Sequence, residues 1–282
     1  MRLIRLASQM AAVAGHLSRR GRRVGLVPTM GALHEGHASL IRRAAAENDI
    51  VIVTIFVNPL QFGPREDFTR YPRSFSRDLT LARASGADII FAPSVSELYP
   101  PGFQTAVRVG SLAARWEGKT RPGHFDGVAT VVTILFALTR PSRAYFGQKD
   151  YQQVLIVKRL VRDLKLPPAV RMLPTVRQPD GVAMSSRNAS LTSSQRAHAT
   201  VLYRALRLAR AQIRAGECRA ASILRAMRRL IRGTADARID YVALVDAATL
   251  EPQARLHGRV AILVAVWVGR TRLIDNLLVE VS

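Results

Sequence analysis

Two histidines lie close together in a glycine-containing stretch near the start of the chain. His34 and His37 follow Gly31 in the sequence PTMGALHEGH, which spans residues 28–37. Imidazole N–H groups can stabilise a phosphate whose negative charge grows during a reaction, and glycine lets the backbone approach a nucleotide closely. The stretch joins a predicted strand to a predicted helix, a junction where open α/β sheets bind ligands and helices bind anions. The segment therefore predicts a phosphate-binding loop.

Taken alone, the histidine pair has two other interpretations. An isolated H-x-x-H pattern is more often a capped turn with two surface histidines than a functional site. Metal binding is the third possibility, but no carboxylate or cysteine partner is arranged around the pair as a zinc site requires. A second element is needed to favour phosphate chemistry.

A loop at residues 180–188 supplies that second element. It contains Ser185, Ser186 and Arg187, and hydroxyl and guanidinium groups in a mobile loop can wrap a triphosphate and neutralise its charge. Such a loop alone is more often simply solvated. The two elements together match the signatures of the nucleotidylyltransferase superfamily related to class I aminoacyl-tRNA synthetases, an H-x-G-H element and a later K-M-S-K-S-like loop.

The elements that must position these residues alternate between strand and helix. An amphipathic first helix is predicted to end before Gly21, and the first strand is predicted to stop at Pro28. The predicted strands are 23–27, 50–57, 88–91, 143–146 and 169–173, and the predicted helices that follow the first one are 37–47, 74–84, 128–138 and 151–164. This alternation favours an α/β fold with a Rossmann-like, doubly wound parallel sheet.

The pattern changes between Pro174 and Ser190. Thr192, with Gln195 three residues later, is a capping-box signature that opens a helix predicted to run to about Ala215. A second helix is predicted at 219–232, with strands at 238–245, 260–268 and 275–281. We therefore predict a Rossmann-like domain over residues 1–175 and a smaller C-terminal α+β domain over residues 176–282.

Composition limits the class of protein. The chain has 282 residues, a single cysteine and a formal net charge of +22. One cysteine excludes an internal disulfide, which fits a reducing cytoplasm, and the apolar runs fall short of the ~18 residues that a membrane helix needs. We expect a cytoplasmic protein that does not span a membrane.

The arginine excess raises nucleic-acid binding as an alternative function. Arginines recur three and four residues apart along both predicted helices of the second domain, which places them largely on one face of each. They are Arg204, Arg207, Arg210, Arg214, Arg225, Arg228, Arg229 and Arg232. Aromatic residues make up only 6% of the chain and only Tyr203 lies in either helix, so no stacking platform accompanies the charge. We expect a solvated surface and no nucleic-acid partner.

Five sequence blocks carry a family resemblance. They are PTMGALHEGH (28–37), FVNPLQFG (56–63), YPR (71–73), YFGQKDYQQ (145–153) and DGVAMSSRN (180–188). Over residues 24–280 the chain closely resembles the pantothenate synthetase family, the pantoate:β-alanine ligases. The alternative enzyme, a nucleotidylyltransferase that makes a dinucleotide cofactor, leaves the second and fourth blocks unexplained.

The resemblance implies a reaction and its partners, with residues 1–175 as the domain that binds ATP and pantoate and residues 176–282 as a lid domain. The family forms pantoyl adenylate from ATP and (R)-pantoate with release of pyrophosphate, and β-alanine then displaces AMP to give pantothenate. Mg²⁺ is expected to be bound mainly through the triphosphate, with no protein metal ligand, and a homodimer is implied. Relatives carry two consecutive acidic residues where this chain has Arg77 and Asp78, so any protein contribution to Mg²⁺ binding would rest on Asp78.

The resemblance also implies roles for individual residues. The ATP site would include Met30, Gly31, Ala32, Leu33, His34, Glu35, Gly36, His37, Gly147, Gln148, Lys149, Asp150, Val176, Met184, Ser185, Ser186 and Arg187. The catalytic residues would be His37 as proton donor, with His34, Lys149, Ser185, Ser186 and Arg187. Gln61 and Gln153 would hold pantoate, and Gln61 would also lie near β-alanine. Paired glutamines can bind hydroxyls and a carboxylate without an opposing charge.

Overall fold

The computed structural model describes residues 1–64, 66, 68–69 and 71–281 of the chain. The chain divides into two compact units, residues 1–148 with 152–174, and residues 149–151 with the chain from 175 onward. Residues 149–151 thus group with the second unit, although they lie far before the predicted boundary at 175. No helix among the described residues is both long and apolar enough to cross a membrane.

The first unit contains a parallel six-stranded sheet with helices between its strands. Its strands are β1 (Arg2–Ile4), β2 (Val24–Thr29), β3 (Ile50–Ile55), β4 (Ile89–Phe91), β5 (Arg143–Gly147) and β6 (Ala169–Leu173). Its helices are α1 (Ala7–Arg19), α2 (Glu35–Glu47), α3 (Phe75–Ala84), α4 (Val95–Leu98), α5 (Glu117–Thr120), α6 (His124–Thr139) and α7 (Tyr151–Asp163). The prediction of a doubly wound parallel sheet is confirmed.

The strand order places a topological switch point beside β2. The order is β1-β4-β3-β2-β5-β6, so the chain adds β3 and β4 on one side of β2 and then returns to add β5 and β6 on the other. In open α/β sheets the crevice at such a reversal, outside the carboxyl ends of the strands, is the usual ligand site. The loop after β2 begins at this point.

The central strands are covered on both faces, which explains their unbroken apolar sequence. Leu26 and Ile52 belong to one core with residues of α1, α6 and α7, whereas the adjacent Val27 and Val53 belong to another core with residues of α2 and α3. All four side chains are fully buried. Alternate residues of each strand therefore serve opposite layers of helices.

Two predictions for this unit are wrong at the level of single elements. Residues 2–4 form an edge strand paired with β4, and the first helix begins only at Ala7. A run of three residues is too short to show the alternation of apolar and polar residues that indicates a strand, so β1 was not predicted. The strand β2 also continues through Pro28 to Thr29. Its pairing with β5 covers only Gly25 and Leu26, so Pro28 lies beyond that ladder, where a missing N–H is tolerated.

The second unit consists of helices and an antiparallel sheet. The helices are α8 (Ser193–His198), α9 (Thr200–Arg214) and α10 (Ala220–Arg232), and the strands β7 (Ala237–Asp246), β8 (Gly258–Val268) and β9 (Thr271–Val281) are ordered β7-β8-β9. Leu206, Ile223 and Met227 of the helices share one core with Ile262 and Val264 of the sheet. This confirms the predicted smaller α+β fold.

The capping box at the start of this helical region is confirmed, but the helix that it opens is shorter than predicted. The Thr192 hydroxyl accepts a hydrogen bond from the Gln195 N–H, and the Gln195 side chain accepts one from the Thr192 N–H. The helix is interrupted at Ala199, so the predicted single helix is the pair α8 and α9.

Candidate active site

The loop after β2 turns sharply through two residues with left-handed backbone. Gly31 has φ of 87° and Ala32 has φ of 49°. Thr29 anchors the start of the turn, because its hydroxyl accepts a hydrogen bond from Gly31 N–H at 3.2 Å and donates one to the carbonyl of Thr54 at 2.5 Å. A non-glycine residue such as Ala32 enters this region at a cost of about 1–2 kcal/mol, so something must hold it there.

A buried carboxylate holds the turn. Asp78 of α3 is only 2% exposed, and its two oxygens accept hydrogen bonds from the N–H groups of Ala32 at 2.9 Å and Leu33 at 2.8 Å. The Ser74 hydroxyl donates a further bond at 3.1 Å. The sequence suggested Asp78 only as a possible aid to Mg²⁺ binding. In the fold its oxygens accept hydrogen bonds from the backbone of the histidine loop, residues 28–37.

The two histidines form a capping box at the start of α2. The His34 Nδ1 accepts a hydrogen bond from the Gly36 N–H at 3.1 Å, and the His37 Nδ1 accepts one from the His34 N–H at 3.2 Å. A ring nitrogen that accepts carries no proton, so each neutral imidazole bears its proton on Nε2. The ring centroids are 4.1 Å apart. The helix N-terminus therefore presents two imidazole donors within its first turn, where the helix dipole favours an anion.

Gln61 lies at the end of a short 3-10 turn, Pro59–Gln61, in the same unit. Its side chain is nearly buried, and the Nε2 donates to the Met30 Sδ at 3.1 Å, while the Oε1 accepts from the Asn58 Nδ2 at 3.1 Å. The hydrogen bond to Met30 brings the predicted pantoate-binding glutamine against the first residue of the predicted ATP loop. Asn58 also donates to the Gly127 carbonyl of α6 at 3.0 Å.

The backbone of Gln61 is held by two further side chains. The His124 Nδ1 lies 2.8 Å from the Gln61 carbonyl oxygen, and the Arg121 Nη2 donates to the same oxygen at 3.3 Å. Because a carbonyl can only accept, His124 is protonated on Nδ1, and its Nε2 accepts from the Arg121 Nη1 at 3.1 Å. Arg121 also pairs with the carboxylate of Glu66. Burial, together with the Arg121 cation, lowers the pKa of His124 to about 4.

The two consecutive glutamines of the fourth sequence block occupy different environments. Gln152 is buried, and its side chain binds three backbone groups, the carbonyls of Leu112 and Arg115 and the N–H of Glu117. Gln153, predicted to hold pantoate, is half-buried at the next position of α7. Gln152 therefore has a structural task, and Gln153 remains the candidate ligand of the pair. Gly147 ends β5, next to the β2 strand, and Gln148 follows it.

The other predicted site residues belong to the second unit. Lys149 and Ser185 line one small cavity together with Asn188 and Asp275. The Ser185 hydroxyl accepts from the Arg187 N–H at 3.3 Å and caps the 3-10 turn that contains Ser186. Asp150 is exposed, with an oxygen 3.5 Å from the Lys149 ammonium.

The Met184 N–H donates to the Val176 carbonyl at 2.9 Å. The structure thus brings Lys149 close to the serine loop, residues 180–188. A hydrogen bond joins that loop to Val176, the residue predicted to contact the adenine.

Several residues that shape these sites were not identified in their roles from the sequence. Asp78 and His124 act through contacts with residues that are distant in the chain, and no local spacing marks such a contact. Arg121 and Asn58 lie in or near recognisable blocks, which was the one available signal.

The first unit is thus a doubly wound α/β sheet with an H-x-G-H helix start at its switch point. The family model described as pantoate-beta-alanine ligase matches residues 2–278. Because the match spans nearly the whole chain, the protein belongs to the pantoate-beta-alanine ligase family, and the predicted family is confirmed.

Individual relatives agree with this assignment. The chain is 54% identical over 280 residues to the pantothenate synthetase of Moorella thermoacetica, covering 98% of this chain and 99% of the relative. It is 56% identical over 256 residues to that of Roseiflexus sp. strain RS-1, covering 91% and 92%.

Solved structures of the family have the same fold. A pantothenate synthetase from Thermus thermophilus superposes with a TM-score of 0.93 at 48% identity, covering 98% of this chain and 99% of the other. A pantoate-beta-alanine ligase from Francisella tularensis, complexed with beta-gamma ATP and beta-alanine, superposes with a TM-score of 0.81 at 35% identity, covering 99% and 97%.

Proposed function

We propose that this protein condenses (R)-pantoate with β-alanine at the expense of ATP, giving pantothenate, AMP and pyrophosphate through a pantoyl-adenylate intermediate. The observation that carries the proposal is the histidine-capped N-terminus of α2 at the switch point of the sheet, with Gln61 hydrogen-bonded to Met30 beside it. This arrangement supports the proposal, because it combines imidazole donors for a phosphate with a neutral side chain suited to a hydroxy acid.

In the first step a pantoate carboxylate oxygen attacks the α-phosphorus of ATP, and pyrophosphate leaves. Negative charge grows on the phosphate oxygens, so fixed N–H donors that stabilise this charge lower the barrier. We assign this task to the Nε2–H groups of His34 and His37, with His37 as the proton donor. Lys149, Ser185, Ser186 and Arg187 are assigned to the same phosphates.

ATP recognition is assigned to backbone as well as side chains. The turn through Met30, Gly31, Ala32 and Leu33, and the first turn of α2 with Glu35 and Gly36, would receive the nucleotide. Gly147, Gln148 and Asp150 would contact it after β5, with Asp150 at the ribose. The Val176 backbone would meet the adenine, and Met184 would contribute from the serine loop.

Pantoate is assigned to Gln61 and Gln153. Each amide has a donor and an acceptor end, so the pair can bind two hydroxyls and a carboxylate while leaving the carboxylate nucleophilic. In the second step the amine of β-alanine attacks the pantoyl carbonyl carbon, loses a proton, and displaces AMP. Gln61 is also assigned to the β-alanine side of the site.

The described residues include no group of three His, Cys, Asp or Glu side chains that could hold a metal ion. Both oxygens of Asp78 already accept hydrogen bonds from the loop backbone. We therefore assign Mg²⁺ to the triphosphate, where it would neutralise phosphate charge. We further propose a cytoplasmic homodimer, as the family resemblance implies. Analytical ultracentrifugation of the purified chain tests the dimer, which a monomer at micromolar concentration would contradict.

Product analysis tests the proposed function. Incubation with ATP, Mg²⁺, (R)-pantoate and β-alanine should yield pantothenate and AMP in equal amounts. ATP and pantoate without β-alanine should still support exchange of labelled pyrophosphate into ATP. Formation of ADP in place of AMP, or no exchange at saturating Mg²⁺, would refute the adenylate route.

A further inference from the structure

A buried ion pair lies behind the serine loop in the second unit. Arg177 donates to both carboxylate oxygens of Asp275, at 2.6 and 2.9 Å, and Asp275 is 4% exposed. Burial raises the pKa of Asp275, while the cations of Arg177 and Lys149 lower it. Two parallel hydrogen bonds fix the orientation of a guanidinium more strictly than one contact does. Arg177 is therefore locked to strand β9.

The locked arginine in turn holds the turn that leads into the serine loop. Its Nη1 donates to the Gly181 carbonyl at 3.0 Å, and its guanidinium lies 4.1 Å from the ring centroid of Tyr203. Residues 177 and 183 form a bridge that closes the same turn. A Cβ at Gly181 would lie 2.1 Å from the Tyr203 ring, so the turn is packed against a fixed surface just before Met184 to Arg187.

The neighbouring residue on β9 binds the backbone of Lys149, which is assigned to the phosphates together with the serine loop. Asn276 is 2% exposed, and its Nδ2 donates to the Lys149 carbonyl at 2.9 Å. The Asn276 N–H also donates to the Asp275 carboxylate at 2.7 Å. Two consecutive residues of one strand therefore bind the Lys149 backbone on one side and, through Arg177, the serine-loop turn on the other.

We propose that Asp275 and Asn276, with Arg177, are positioning residues that set Lys149 and the Ser185–Arg187 loop in register with each other. The inference rests on the proposed function, because it assigns to β9 the placement of residues that act on ATP. None of the three touches the reacting atoms in this proposal. Their effect comes through the two backbone segments that they hold.

Two substitutions test the proposal. Arg177→Lys keeps the charge but loses the two-bond pairing with Asp275, and Asn276→Asp replaces the donor to the Lys149 carbonyl by an acceptor of the same shape. The matched control is Arg272→Lys, which breaks the pairing of Arg272 on β9 with Asp240 on β7, at 2.6 and 2.9 Å in the same unit. The hydrogen bonds of that pair join β9 to β7.

Hydrogen exchange and kinetics should separate the variants. Amides of 181–188 should exchange faster in Arg177→Lys and those near Lys149 faster in Asn276→Asp, with both segments unchanged in the control. Adenylate formation, followed by pyrophosphate exchange, should fall about 10–100-fold in the two test variants, because small misplacements of catalytic groups cost that much.

The control should keep wild-type kinetics even if its melting temperature falls as far. Unchanged protection of both segments in folded test variants, or an equal kinetic loss in the control, would overturn the proposal. Hydrogen exchange needs no turnover, so a failure of the proposed function would appear separately, as absence of pyrophosphate exchange in the wild type.

Discussion

At the scale of single residues, the hydrogen bonds of the two histidines determine what they can do. Both Nδ1 atoms accept backbone N–H groups at the start of α2, so the proton of each neutral ring is on Nε2. Nδ1 of each ring thereby caps the helix, and the proposed phosphate donation falls to Nε2 of the same ring. Substitutions that imitate one nitrogen at a time can separate the two tasks.

We expect His37→Asn and His37→Gln to lose different properties, the first mainly activity and the second mainly stability. The asparagine oxygen can replace Nδ1 as the acceptor for the His34 N–H but offers no distal donor. It should preserve the melting temperature and lower adenylate formation by about 10²–10³-fold, the usual cost of a transition-state donor. The glutamine amide reaches the Nε2 position, so this variant should retain more activity and lose more stability. Pyrophosphate exchange and thermal unfolding measure both, and an Asn variant with near-normal exchange would remove the proposed role of His37.

His124 gives a prediction for pH dependence. Its pKa in the fold is about 4, below the ordinary value of about 6.5, so the folded protein binds fewer protons between these values than the unfolded chain does. Its stabilising contribution is therefore present above about pH 6.5 and is lost as the pH falls toward 4. The charged groups that surround it are Arg121, Glu117 and Glu66.

The comparison is with His124→Asn, which keeps a donor for the Gln61 carbonyl and does not titrate. Between pH 7 and 4.5 the unfolding free energy of the wild type should fall by about 2–3 kcal/mol more than that of the variant. Urea unfolding at several pH values measures this difference. Parallel curves for the two proteins would show that His124 is not held neutral by the fold.

At the scale of elements, helix α6 fixes the turn that presents Gln61. The turn approaches α6 so closely that a Cβ at Gly127 would lie 2.2 Å from the Leu60 carbonyl oxygen. The same glycine supplies the carbonyl that binds Asn58. A glycine is therefore required at this helical position by packing, although glycine lowers helix stability.

Gly127→Ala should separate α6 from the turn. We expect a loss of about 1–3 kcal/mol through overpacking, together with a raised KM for pantoate. Gly15→Ala is the matched control inside α1, because its nearest neighbour would be the flexible end of Arg19 at 3.5 Å, and it should stabilise the protein by about 0.5–1 kcal/mol. Thermal unfolding and steady-state kinetics test the pair. A Gly127→Ala protein with normal stability and pantoate KM would contradict the assigned packing.

Local patterns predicted the main elements well. The elements α2, α6 and β3 and the capping box at Thr192 are each marked by a hydrophobic pattern or by the residues at their ends. They could not predict how the histidine loop is held. Asp78 lies 46 positions from Ala32, and Arg177 lies 98 from Asp275. Hydrogen bonds at such separations follow from the tertiary fold, and Gln152 shows that a residue inside a recognised block can have a purely structural task.

At the scale of the whole molecule, the charge of +22 is carried largely by arginines. On α9 and α10 the exposed ones include Arg204, Arg207, Arg214, Arg225, Arg229 and Arg232. Neither helix contains an acidic residue. Such a surface attracts anions in general, and ATP and pantoate are both anions.

We expect DNA to bind this surface without selectivity. Its affinity should fall steeply between about 50 and 200 mM salt, because the binding would come from release of phosphate counterions. Fluorescence anisotropy with several unrelated duplexes measures both properties. Equal affinities for all duplexes are the expected result, and a salt-resistant preference for one sequence would contradict the expectation that the protein has no nucleic-acid partner.

The central claim concerns which bond the pantoate carboxylate makes, and isotope transfer tests it most directly. With ¹⁸O in both carboxylate oxygens of pantoate, attack on the α-phosphorus carries one labelled oxygen into the adenylate bridge. Attack of β-alanine at the carbonyl carbon then releases AMP with that oxygen. Mass spectrometry of the complete reaction should find one ¹⁸O in AMP and one in the new amide of pantothenate. Unlabelled AMP, or label in inorganic phosphate beside ADP, would contradict the account.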